Sequence, residues 1–193
     1  MSLLTLEIQK SLRSQSSALV LPTVRKLIKS SFAQKKKEMI TDFLNHPITQ
    51  EIKAGVQADN ISGTLGGVTN LFSFIGFEQG DDPIAPILDL LNTTTINIGQ
   101  RSTKGATFSV QLPEAEDIFK ATPLPYMTGR SWAQSMETGL SGLGYYLKKK
   151  SDASRSGFGI QSKKKVRKAR FQNTKYISHF LKTYKKEFQN LKI

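Results

Sequence analysis

The residues of this sequence whose type and spacing most plainly call for a partner are lysine and arginine in runs: Lys148-Lys149-Lys150, Lys163-Lys164-Lys165 and Arg167-Lys168-Ala169-Arg170. Residues 1–147 carry 13 basic and 13 acidic side chains, whereas residues 148–193 carry 15 basic and 2 acidic, Asp152 and Glu187. The formal charge of +13 therefore sits entirely in the last quarter of the 193-residue chain. A block that basic either lies close to a polyanion, nucleic acid or an acidic protein surface, or stays well solvated. Phe158, Phe171 and Tyr176 interleave aromatic rings with the cations, as single-strand binding uses them. The same pattern arises when a strand or helix with one apolar face carries lysines outside. No RNP1-like pattern or zinc finger accompanies it, so base-specific readout has no support.

Other chemistry is sparsely provided. The absence of cysteine excludes disulfides, Cys-ligated metal and a thiol nucleophile. The two histidines are His46, beside Pro47 at a helix end where it caps or packs, and His179, between Tyr176 and Phe180; neither has a visible partner for acid–base work. Carboxylates are scattered, and Asp81-Asp82 before Pro83 read as helix-initiating, because negative charge favours a helix N-terminus. No phosphate loop, dinucleotide fingerprint, H-E-x-x-H or G-x-S-x-G elbow occurs, and Gly139-Leu140-Ser141-Gly142-Leu143-Gly144 reads as a simple loop. The expectation is a protein that is not an enzyme and takes no cofactor or metal. Asn60 to Phe77 is uncharged but broken by Gly63, Gly66, Gly67 and Gly76, so no membrane span is expected. Met1–Ile8 lacks a secretory pattern, which implies synthesis in the cytoplasm.

The elements that must position these residues follow from periodicity. Val24, Leu27, Ile28, Phe32, Lys36, Met39, Ile40, Phe43 and Leu44 recur at helical spacing, opened by Pro22-Thr23 and stopped at Asn45-His46-Pro47. Before this helix, Leu3 to Leu12 suggests a short amphipathic helix, and Ala18 to Leu21 a short strand or apolar linker. After it, Thr49 to Ile52 gives one helical turn and Asp59 to Gly67 a loop. Leu71-Phe72-Ser73-Phe74-Ile75-Gly76-Phe77 forms an aromatic cluster, either core or an interface plug. A second helix opens at Asp82-Pro83 and runs to about Leu91. Thr94 to Ile98 and Ala106 to Leu112 then read as a β-hairpin around a turn-rich Gly99 to Gly105.

Glu114 to Phe119 suggests a helical turn, followed by a stiff Pro123-Leu124-Pro125 connection. Residues 130–147 are compatible with a helix or with strand then loop. Trp132, the sole tryptophan, reads as a core or interface anchor. Ser151 to Gly159 reads as a loop and Ile160 to Phe171 as a strand. Thr174 to Leu191 places Tyr176, Ile177, Phe180, Leu181, Tyr184 and Phe188 on one helical face with lysines opposite.

Two stretches together resemble the neck or tail-completion proteins of tailed bacteriophages, particularly the contractile-tailed type. One runs from Asn45-His46-Pro47-Ile48-Thr49-Gln50-Glu51-Ile52 through Ser62-Gly63-Thr64-Leu65-Gly66-Gly67 to Asn70 and the aromatic cluster ending at Phe77. The other comprises Gly129-Arg130-Ser131-Trp132, Glu137 to Gly144, Ser154-Arg155-Ser156-Gly157 and Arg170-Phe171-Gln172-Asn173. The resemblance implies a long helix packed on a sheet, Glu137 to Gly139 within that sheet, and Phe171 to Phe180 leading into a C-terminal helix. It also implies a virion subunit, made in the host cytoplasm, that forms a cyclic homo-oligomer between the portal–adaptor assembly and the tail. DNA in a channel would then be met without sequence preference.

These readings converge on one α+β domain spanning 1–193, with a basic loop or strand segment at 148–170. A long N-terminal amphipathic helix and a C-terminal helix pack on a small, mostly antiparallel sheet, with extended loops at 55–82 and 99–106. Leu71, Phe72, Phe74, Ile75, Phe77 and Trp132 are the candidates for packing or subunit contact. Lys163, Lys164, Lys165, Arg167, Lys168 and Arg170 are the candidates for contact with DNA or an acidic neighbour. The competing function is a sequence-nonspecific nucleic-acid-binding protein acting through residues 148–193.

Overall fold

The computed structural model describes residues 3–10, 20–65, 70–102, 105–125, 127–139 and 174–191. The basic segment 148–170, and with it Lys163 to Arg170, the loop at 151–159 and the strand expected at 160–171, lies outside the described residues.

Helix α1, Val20–Asn45, has proline in its first turn, where a missing N–H costs nothing. At 26 residues it is about 39 Å long and buries Ile28, Phe32, Met39 and Phe43. It stops because His46, preceding Pro47, is held extended at φ −63°, ψ 132°, and the chain turns directly into α2, Pro47–Lys53. The His46 ring caps this second helix, its Nδ1 accepting from the Ile48 N–H at 3.3 Å. A 3₁₀ turn at Gly55–Gln57 follows, and then α3, Leu71–Ile75, which is closed by Gly76 in the left-handed region at φ 95°. Helix α4 spans Ala85–Asn92; Asp82 Oδ1 accepts from the N–H groups of Ile84 and Ala85 at its start, the helix-initiating role expected of that carboxylate.

Strands β1 (Leu3–Lys10), β2 (Thr95–Ser102) and β3 (Gly105–Pro113) form an antiparallel sheet in the order β1-β3-β2. The hairpin is as the sequence predicts, although its strands extend into the expected loop at 99–106. Leu3 to Lys10 is a strand and not the expected amphipathic helix. Leu4, Leu6 and Ile8 stand opposite Leu112, Val110 and Phe108, whose side chains are buried. An alternating run beside a half-covered strand gains more from the ladder than from an isolated helical turn. Val20 and Leu21 belong to α1 rather than to a strand or linker.

Helix α5, Ala115–Ala121, is started by a reciprocal capping pair, Glu114 and Asp117. The proline segment expected as a stiff connection is strand β4, Pro123–Leu124, paired with β5, Met127–Ser131. Helix α6, Trp132–Thr138, resolves the ambiguity at 130–147 in favour of strand followed by helix as far as Gly139. Glu137 and Thr138 are thus helical, where the resemblance implies sheet. Helix α7, Ile177–Gln189, lies against β1 and β3 while α1 lies against β2. Helices and sheet enclose one apolar core. The expected long loop at 55–82 is divided by the 3₁₀ turn and α3.

Candidate functional site

Six side chains were singled out as packing or contact residues, and five of them lie inside the chain's own core. Leu71, Phe72, Ile75, Phe77 and Trp132 are buried, while Phe74 is half-buried and packed against the same core. Buried rings have no surface to offer a neighbour, so within this fold they serve intrachain packing. Phe72 and Phe77 lie 5.4 Å apart between centroids, and Phe77 meets Trp132 edge-on at 6.0 Å. Trp132 continues to Tyr176 at 6.4 Å, and Tyr176 stacks on Phe43 at 6.0 Å. From Phe43 the path runs through Phe180, Tyr184 and Phe188 to Phe32. Ring contacts thus extend from α3 through α6 to the antiparallel α1–α7 pair, in geometries that favour aromatic attraction.

The polar groups along this seam hold segments together. Glu51 is fully buried, and its two carboxylate oxygens accept from the backbone N–H groups of Ser62 and Leu71, each at 2.7 Å. It fastens α2 to both described ends of the chain flanking 66–69. Sequence reading did not single it out; its one signal was an acidic residue between Thr49 and Ile52 in a turn otherwise facing the core. Glu137 Oε1 accepts from the Ser178 N–H at 2.6 Å, placing a carboxylate at the positive end of α7. Asn70 caps α3 through Oδ1, and its amide donates to the carbonyls of Val56 and Ala58.

Lys36, which the periodicity placed among apolar positions, donates its Nζ to the carbonyls of Asn92 and Thr94 at 2.6 and 3.0 Å. It closes the C-terminal end of α4, and burial pulls its ammonium pKa below the ordinary value. Lys35 bridges Glu38 on its own helix and Glu187 on α7. The Tyr184 hydroxyl donates to Asp42, and the Tyr176 hydroxyl is paired with Thr49. Burial pushes both phenols up, and the Asp42 carboxylate reinforces the effect at Tyr184. His46 is pulled down, first by burial and then by the nearby His179.

Among the described residues no group of three or more His, Asp or Glu is placed to hold a metal ion. Among the same residues no helix is long and apolar enough to cross a membrane. Trp132 and Tyr176, both buried, cannot stack on a nucleic-acid base. What the described surface does offer is basic side chains on and just before α7, where Lys175, His179, Lys182 and Lys186 are exposed. Comparisons of the chain with family models, with curated proteins and with solved structures return no match.

Proposed function

We propose that this chain is a non-enzymatic structural subunit, a neck or tail-completion protein of a contractile-tailed bacteriophage that forms a ring joining the portal–adaptor assembly to the tail. The observation that carries the reading is the meeting of the two stretches that bear the resemblance. The 45–77 stretch and the 129–139 stretch touch at Phe77 and Trp132, beside the Tyr176 that opens the last helix. A long helix and a C-terminal helix on a small antiparallel sheet is also the architecture that the resemblance implies. With the aromatic cluster turned inward, the large apolar side chains left for a neighbour among the described residues are Leu27, Val56 and Ile61.

The test is the mass of the purified protein in solution at low and high salt, alone and with portal, adaptor and tail proteins. A discrete ring-sized oligomer, or a monomer that assembles only with those partners, is the expected result. A monomer at every salt concentration that ignores them would sink the reading.

The charge division favours one second reading, a sequence-nonspecific nucleic-acid-binding protein. Its test cannot be removal of 148–193, because that deletion takes away Ile177, Phe180, Leu181, Tyr184 and Phe188 from the core. Replacement of residues 140–173 alone separates charge from fold.

A further inference from the structure

Helix α7 has two faces of unlike chemistry. Ile177, Phe180, Leu181, Tyr184 and Phe188 turn into the core. On the opposite side His179, Lys182 and Lys186 are exposed and follow one another at steps of three and four residues, and Lys175 is exposed just before the helix begins. That spacing aligns the three in one stripe about 10 Å long, with Lys175 at the chain's entry to the helix. Lys185 flanks it, half-buried, and Gln189 continues it toward the end of the helix. The helix's one carboxylate, Glu187, points away to α1, where it accepts from Lys35 at 3.0 Å. Within α7 itself no acidic or large apolar side chain interrupts the stripe, and the carboxylate at its start, Glu137, is held by the Ser178 N–H.

We infer that the stripe of His179, Lys182 and Lys186, with Lys175 at its start, is a contact surface for the phosphate backbone of duplex DNA, bound without regard to sequence. Three features of the helix choose this occupant. A protein partner would need an apolar centre to its interface, and the stripe has none. A single strand would need exposed rings for its bases, and Tyr176, Phe180, Tyr184 and Phe188 all face inward. A duplex asks only for cations along a rod, since it carries a charge every ~1.7 Å of axis that lysines neutralise with release of counterions. Lys182 and Lys186, one turn and about 6 Å apart, suit phosphates two steps along one strand, each step rising ~3.4 Å. The inference rests on the second reading and deepens it, naming duplex DNA as the ligand and α7 as the surface; it is independent of the ring reading, because it holds for a lone subunit and uses none of residues 163–170.

The experiment is a titration of a labelled mixed-sequence duplex with the full chain across a series of salt concentrations. The variant is Lys175→Gln with Lys182→Gln and Lys186→Gln; the control is Arg25→Gln with Lys26→Gln and Lys29→Gln, which removes equal charge from the exposed side of α1. Thermal melts verify that both stay folded. The α7 variant is expected to lose about tenfold or more in affinity near ~0.1 M salt, and its log–log salt slope to flatten by about 0.9 per lost contact. The control is expected to keep the wild-type slope. A wild-type slope in the α7 variant, equal losses in both variants, binding confined to single strands, or no duplex binding by the full chain would each overturn the inference. Light scattering on the same samples reports the ring separately, so failure of one proposal is distinguishable from failure of the other.

Discussion

The backbone N–H of Thr174 donates to the carbonyl oxygen of Met136 at 3.2 Å, so the chain that leaves α6 at Gly139 rejoins the fold where it left. Glu137 fastens the same junction through Ser178. Because the Thr174–Met136 and Ser178–Glu137 hydrogen bonds bring the two described ends together, a short glycine–serine linker in place of residues 140–173 can join them, and the shortened protein is expected to unfold cooperatively with a melting temperature within a few degrees of the parent. That segment carries 10 basic residues and 1 acidic one, so the shortened protein keeps the α7 stripe but loses most of the net charge. A circular-dichroism melt is the check, and loss of cooperative unfolding would show that 140–173 belongs to the core.

Glu51 is expected to be the costliest polar substitution. Glu51→Ala leaves the Ser62 and Leu71 N–H groups without their acceptor, at about 3 kcal/mol or more for two charge-assisted bonds. Hydrogen exchange should accelerate at those two amides first, and unchanged protection there would contradict the assigned role.

Trp132 joins Phe77, just after α3, to Tyr176, just before α7, through its ring contacts, and it is buried. Trp132→Ala should destabilise the fold by about 3–5 kcal/mol. Trp132→Phe should cost less and leave the mass of any assembly unchanged. A variant that stayed stable but changed its oligomeric state would place this side chain at a subunit contact.

His46 makes α2 sensitive to mild acid. Its folded pKa lies below the unfolded value, so its stabilising contribution is present above about pH 6.5 and is lost as pH falls through the depressed value. Protonation removes the Nδ1 acceptor from Ile48, and the groups facing the ring are His179 and Tyr176. His46→Asn keeps a capping oxygen and does not titrate. Its loss of stability from neutral pH to pH 5, read from melts at the two pH values, should be smaller than the parent's, and an equal loss would exclude His46 as the source.

Tyr176 and Tyr184 act at the other end of the scale. Their folded pKa values are raised, so the folded state holds its protons more tightly; that stability is intact below about pH 10 and declines as pH rises beyond it. Alkaline melts of Tyr176→Phe with Tyr184→Phe should show a shallower decline than the parent, and an equal decline would exclude these phenols as its source.

Periodic elements were legible where a single face decided them. Val24 to Leu44 and Tyr176 to Phe188 each had one apolar stripe, and Phe108, Val110 and Leu112 alternated as a strand must. Leu4, Leu6 and Ile8 were misread because positions 4 and 8 also fit a helical turn, and the strand they pair with is far away in sequence. At α6, Gly142 and Gly144 blurred a helix that ends on Gly139. The aromatic cluster was visible as a cluster, but whether Phe77 met a neighbour or its own Trp132 is a tertiary fact. The Glu51 clamp was illegible for the same reason, since its partners are backbone groups 11 and 20 positions on.

The order β1-β3-β2 fixes a sequence of events in folding. Ile98 and Phe108 are paired within a hairpin, whereas Leu3 and Pro113 meet across more than a hundred positions. The hairpin, being local, is expected to close first, leaving one edge of β3 open until Leu3–Lys10 pairs with it. The open edge can take the equivalent strand of a second molecule once the protein concentration approaches the effective concentration of its own strand. Concentrated refolding should therefore yield strand-exchanged dimers that dilution before refolding avoids.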